Sequence, residues 1–183
     1  MSKKMIPLLV IILSIFIITP VIAENLVSFY RFDESTGTIA CDSTGNGHTG
    51  TVSGIGVVWS PAGGYHDGAV YFDATITGSK NGAVQVPTAG ISNSAGAITF
   101  WAKLANPQSR SYRNGYGYFF GTGGGNAAYL MLYMDNYDTQ LDLKIGGTIV
   151  ENIINLNTNS WFHVAIVWNG TTYALYVNEG LYT

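Results

Sequence analysis

Eighteen residues near the end of the chain, 161–178 (WFHVAIVWNGTTYALYVN), restrict its fold more than any other stretch. Two runs rich in β-branched and aromatic residues flank Asn169-Gly170-Thr171-Thr172. Asn-Gly supplies the two positive-φ positions of a tight turn, so the stretch predicts a β-hairpin. In the first strand Phe162, Val164, Ile166 and Trp168 alternate with Trp161, Ala165 and Val167, which makes both faces apolar. A strand buried on both faces belongs in the middle of a sheet, not at its rim. The density of Val, Ile and Trp, with the Asn-Gly stop, favours strand over helix.

Residues 1–23 read as a targeting segment outside the fold. Lys3 and Lys4 form a basic start, residues 6–18 are apolar apart from Pro7 and Ser14, and Val21-Ile22-Ala23 offers a cleavage site before Glu24. An uncleaved anchor is the alternative, because residues 5–23 carry no charge and reach the ~20 residues needed to span a bilayer. Pro20 and Ala23, with no basic stop following, favour cleavage. The expected location is secreted, extracellular or at the cell surface, with membrane contact only if the segment is retained. Cys41 is the only cysteine and lies far from the apolar segment, which argues against a lipid anchor there.

Cleavage would remove two of the 8 Lys and Arg residues, leaving 6 against 11 acidic ones, a net charge of −5. That balance, with no basic cluster, argues against nucleic acid as a partner. One cysteine forms no internal disulfide, so Cys41 is expected to be a small buried side chain. Low charge with 23 Gly, 12 Tyr and 4 Trp fits short strands joined by turns in one domain, 24–183.

Residues 26–33 (LVSFYRFD) alternate as a strand placing Val27, Phe29 and Arg31 on one face, and residues 42–50 (DSTGNGHTG) form a turn-rich loop. Strands are expected at 65–73, 82–87 and 98–104. The loop-like stretch 106–126 holds a short strand at 118–121, and a meander follows at 129–134, 140–145 and 148–154. Strands every eight to twelve residues with no helical crossover describe an all-β, two-sheet antiparallel sandwich or jelly roll.

The series FYRFDESTGT, DSTGNGHTGTVSG, DGAVYFD, AITFWAKL and WFHVAIVWNGTTYALYVN resembles the laminin-G-like, concanavalin-A-like jelly-roll domains of secreted proteins. The resemblance runs from Leu26 to the C-terminus. It implies two curved antiparallel sheets packed face to face, glycan or protein binding at cell surfaces or within larger extracellular proteins, and in many members a structural calcium. Two departures stand out. The last hairpin carries Asn178-Glu179-Gly180, one residue more than the usual Asn-Gly or Asp-Gly. Related domains also continue with several strands beyond the position of Thr183, so the last strands are expected to be missing here.

Glycoside hydrolysis needs two carboxyl groups ~5–9.5 Å apart across the scissile bond. The glutamates after residue 23 are Glu24, Glu34, Glu151 and Glu179, with no two as strand neighbours. Asp135, Asp138 and Asp142 read as a solvated turn leading into a strand. His163 reads as a hydrogen-bonded structural residue with no Ser or Cys nucleophile spaced to serve it. His48 and His66 lack zinc-ligand spacing, and Gly121-Thr-Gly-Gly-Gly125 lacks the Lys of a phosphate loop. The chain is therefore not expected to be an enzyme.

Calcium wants six to eight oxygens on a wrapping loop. Asp42 and Asn46, with Asp33 just upstream, can supply several, and an Asx-turn loop capping its own backbone is the alternative. For ligand binding, Arg110, Tyr112, Arg113, Tyr116 and Tyr118 place three rings and two guanidinium groups within nine residues. Tyrosines stack on sugar faces and Arg donates to hydroxyls or carboxylates, although the same loop can simply cover an open end of the sandwich. The expected function is a non-catalytic glycan-binding or adhesion module of an exported protein, meeting carbohydrate or a cell-surface protein beside other domains of a larger polypeptide. A structural or protein-interaction spacer is the alternative.

Overall fold

The computed structural model describes residues 26–73, 82–92, 94–105, 117–122, 130–134, 139–145, 148–170 and 172–182. Every element among them is a strand. The first five are short: β1 (Ile39–Ala40), β2 (Gly50–Ser53), β3 (Val57–Ser60), β4 (Ala69–Phe72) and β5 (Ala83–Gln85). Then follow β6 (Ala95–Lys103), β7 (Gly117–Gly121), β8 (Leu130–Met134), β9 (Gln140–Ile145) and β10 (Thr148–Asn155). The chain closes with β11 (Trp161–Asn169), β12 (Thr172–Val177) and β13 (Gly180–Tyr182).

Two four-stranded antiparallel sheets, ordered β10-β9-β8-β7 and β13-β12-β11-β6, build the sandwich. A three-stranded sheet β1-β2-β5 and the hairpin β3-β4 accompany them. The core lies between the large sheets. Leu130, Leu132 and Met134 of β8, with Leu141 and Leu143 of β9, meet Phe162, Val164 and Ile166 of β11 and Leu175 and Val177 of β12. These residues alternate along their strands, so each sheet turns one apolar face to the other at the ~10 Å spacing of stacked sheets. β11 is internal as expected, paired with β12 on one side and β6 on the other.

Several local expectations are corrected. Residues 26–33 do not form a strand: Phe32 has φ 55°, which breaks extended pairing, and only the bridge Tyr30↔Asp42 remains. Phe29 and Arg31 are exposed there. The strand expected at 65–73 is β4 alone, because Tyr65 to Asp67 turn and Asp67 has φ 48°. Its partner β3 came without a sequence expectation. β11 is buried on one face only, with Trp161, His163 and Ala165 half-buried and Val167 exposed on the other. In the β11–β12 turn Asn169 pairs with Thr172 as a strand residue, and the left-handed position falls on Gly170 (φ 61°). Cys41 is exposed. The last hairpin has no extra residue: Val177 pairs with Gly180 around the two-residue loop Asn178-Glu179.

Asp142 departs furthest from its solvated-turn reading. It lies on β9 opposite Tyr133 of β8, only 3% exposed, on the sheet face that points away from the core. Met131 and Tyr133 are buried on that same face.

Candidate functional site

The outward face of the β13-β12-β11-β6 sheet carries a row of aromatic and polar side chains. Register places Trp101 of β6 directly opposite His163 of β11, and their rings lie 5.1 Å apart. Inward-facing Phe100 and Ala102, opposite Val164 and Phe162, pack on the core, so the two-residue pleat turns Trp101 outward. On the other side of His163, the backbone N–H of Asn178 donates to the His163 carbonyl at 3.0 Å. The His163 N–H donates back to Asn178 Oδ1 at 2.9 Å. This exchange prolongs the β11–β12 ladder by one residue and pins the final turn to the sheet.

The loop between β3 and β4 reaches onto this face. Tyr65 stacks on Trp101 with centroids 3.6 Å apart and planes 11° from parallel. His66 stands edge-on to both rings, 4.7 Å from Tyr65 and 6.1 Å from Trp101. Arg31 restrains the loop, bonding Asp67 at 3.3 Å and Asp33 at 3.2 Å. Gly68 lies against the Phe32 carbonyl so closely that a Cβ has no room, and the loop folds back only because that residue is glycine. The result is an aromatic ledge with Tyr65 50% exposed and Trp101 38% exposed.

Trp101, His163, Asn178 and Glu179 line a cleft of about 220 Å³ beside the ledge. That is smaller than the ~300–1,000 Å³ of enclosed small-molecule sites, and suits the side of a larger chain. Chemically the cleft offers a flat apolar face, an acceptor-only carboxylate and an amide whose NH₂ end donates. A second cavity of about 340 Å³ opens between the sheets, and its lining among the described residues, Leu143, Val150, Ile153, Tyr173, Leu175, Leu181 and Tyr182, is uncharged.

The expected calcium residues are placed differently from an ion shell. Asp42 Oδ1 accepts from the N–H of Phe29 (3.1 Å) and from both the N–H (3.0 Å) and Oγ1 (2.7 Å) of Thr44. Its Oδ2 accepts the His48 N–H at 3.0 Å. The Thr44 hydroxyl first, then the backbone donors, hold its carboxyl well below the usual carboxylate range. Asn46 turns its NH₂ inward to the Leu26 and Val27 carbonyls at 2.9 and 3.1 Å, and Asp33 is paired with Arg31. Among the described residues no three His, Cys, Asp or Glu side chains gather as a metal-holding group. Asp33, Asp42 and Asn46 as placed do not fit calcium; Asp42 and Asn46 build the Asx-type loop instead.

Of the expected ligand-binding residues, Arg110, Tyr112, Arg113 and Tyr116 lie outside the described residues, as do residues 1–23, and Tyr118 is described only as part of β7. Sequence reasoning missed Tyr65, His66, Trp101 and Glu179. Trp101 gave a signal, as an aromatic on the polar phase of an alternating strand; Tyr65 gave none, since its partner lies 36 positions away. Glu34 lies before β1, Glu151 on β10 and Glu179 in the turn between β12 and β13.

A family model described as the concanavalin A-like lectin/glucanases superfamily matches residues 77–180. No curated protein sequence matches the chain. Among solved structures, the chain is similar to domain 4 of AbnA, a GH43 extracellular arabinanase from Geobacillus stearothermophilus, in complex with arabinotriose. The TM-score is 0.54 at 17% identity, over 82% of this chain and 70% of that one, a likeness of fold. With more than half its length matched by that family model, the chain belongs to the concanavalin A-like lectin/glucanases superfamily.

Proposed function

We propose that this chain is a glycan-binding module of an exported protein and that it holds saccharide without cleaving it. The stacked pair Tyr65–Trp101 carries the reading, because it is an exposed, pre-positioned aromatic surface with polar groups along one side. Large rings immobilised before binding lose little entropy when a ligand arrives, and their exposure is costly unless something covers them. The superfamily and an arabinotriose-bound structural neighbour agree with a sugar ligand. The scatter of Glu34 ahead of β1, Glu151 on β10 and Glu179 in the β12–β13 turn, with no two as strand neighbours, supports a non-catalytic role. Export rests on Lys3, Lys4 and the apolar run 6–18. Segment 106–116, with Arg110, Tyr112, Arg113 and Tyr116, follows β6 in the chain and brings residue types suited to saccharides, rings that stack and guanidinium groups that donate.

The spacer reading keeps one supporting observation. The cross-strand pair Val58–Tyr71 on the β3–β4 hairpin is 53% and 48% exposed on one face, an apolar patch suited to another domain. Calorimetry of neutral and acidic oligosaccharides against the chain and its Tyr65→Ala and Trp101→Ala variants separates the two. Saturable binding lost in both variants supports the glycan module. Absence of binding to every saccharide favours the spacer.

A further inference from the structure

The final turn holds a residue that its backbone disfavours. Asn178 (φ 46°) and Glu179 (φ 71°) are both left-handed, and the hairpin closes in two residues. These are the angles of a type I′ turn, for which Asn-Gly is the usual pair. Asn at the first position is ordinary; Glu at the second is strained, and glycine there would relieve the strain. A strained residue that lines a cleft is evidence of function, since nothing in the turn itself needs a carboxylate.

We infer that Glu179 is the specificity-determining residue of the ledge, accepting hydrogen bonds from paired hydroxyls of a neutral saccharide and rejecting acidic ones. The inference rests on the glycan-binding reading and names its ligand class. An ionised carboxylate only accepts, and its two oxygens match two adjacent hydroxyl donors. Trp101 and Tyr65 supply the apolar wall, and the Asn178 amide lies beside it. Among the described residues lining the cleft, no lysine or arginine stands beside Glu179 to meet a uronate or sulfate at that point. Lys103, on the same sheet face, lies over the Trp161 ring at 5.2 Å, and Arg31 is shared between Asp33 and Asp67. Uncompensated like charge is an effective device against a wrong ligand.

The test compares the chain with Glu179→Gly and Glu179→Gln, measuring melting temperature and titrating with arabinotriose, other neutral trisaccharides and tri-galacturonate. Glu179→Gly is expected to melt about 2–4 °C higher and to bind the neutral ligand at least about tenfold more weakly. Glu179→Gln keeps the side-chain length and the strained turn, so it should melt like the parent, lose less affinity and discriminate less against tri-galacturonate. Unchanged neutral binding in Glu179→Gly, with binding still lost in Tyr65→Ala, overturns the role of Glu179 and leaves the ledge intact. Preference of the parent for tri-galacturonate overturns the inference and points to Arg110 and Arg113. If no trisaccharide binds the parent, the ledge reading falls and the specificity role falls with it.

Discussion

Tyr65 and Trp101, 36 positions apart in the chain, stack at 3.6 Å on the outward face of the β6–β11 pair. Tyr65 belongs to a loop and Trp101 to a strand whose register is fixed by nine consecutive pairs with β11. The strand sets the position of the surface, and the loop completes it.

Removing the loop partner should therefore be mild for the fold and severe for binding. Tyr65→Ala is expected to lose the stacking contribution of about 0.5–1.5 kcal/mol of stability. It should leave the sandwich core untouched, since Tyr65 is half exposed and absent from the core cluster. Chemical denaturation with an unchanged m-value would confirm it; a loss above 3 kcal/mol would mean Tyr65 supports the fold itself.

Gly68→Ala probes how the loop is held. A Cβ at this position meets the Phe32 carbonyl, and backbone cannot yield as a flexible side chain does. The loop should shift, separating Tyr65 from Trp101. Saccharide binding should weaken as much as in Tyr65→Ala, with stability reduced by about 1–3 kcal/mol. Parental near-ultraviolet circular dichroism and affinity in this variant would show that the loop position does not depend on Gly68.

Asp42 gives a pH dependence with a definite sign. Its folded-state pKa is held below the unfolded value near 3.9 by Thr44 and by the N–H groups of Phe29 and His48. Its stabilising contribution is complete above that value and is lost as pH falls toward the folded pKa. The gap in melting temperature between the parent and Asp42→Asn should shrink from pH 6 to pH 3. A gap that widens on acidification would contradict the assignment. Because these oxygens are already bonded, changing from EDTA to millimolar Ca²⁺ should not move the melting temperature through this loop. A calcium-dependent rise abolished by Asp42→Ala would return the ion to it.

The sandwich was legible where one strand states its own burial. β11, β12, β6 and β9 alternate strongly enough, and β8 is apolar enough throughout, that strand pairing follows from pattern and turn chemistry. Residues 26–33 alternate equally well, yet Phe32 adopts φ 55° and the segment serves as the support of Gly68 and Asp67. Asp42 and Asn46 offered oxygen atoms to two uses, and only hydrogen-bond directions decide between a metal and a turn. Asp142 is buried on the face of β9 turned away from the core, which composition around it does not announce. Tyr65 was illegible because its role exists only through a tertiary contact. Glu179 was visible as an oddity of spacing, but its meaning depends on the left-handed angles of a two-residue turn.

Core truncation offers a check on the two-layer packing. Leu175 is fully buried between the sheets, so Leu175→Ala should cost about 2–5 kcal/mol. Leu181→Ala, at a residue 55% exposed on the β13 edge, should cost far less. Equal losses would mean that the edge is covered in solution.

Heteronuclear NMR titration of the chain with arabinotriose and other neutral trisaccharides asks where a saccharide sits. Saturable shifts centred on the Trp101 indole N–H and on the amides of His163, Asn178, Glu179 and Gly180 are expected. Saturable shifts centred on Met131, Tyr133 and Asp142 instead, with the Trp101 indole unmoved, would place the ligand on the opposite sheet and contradict the ledge as the binding surface.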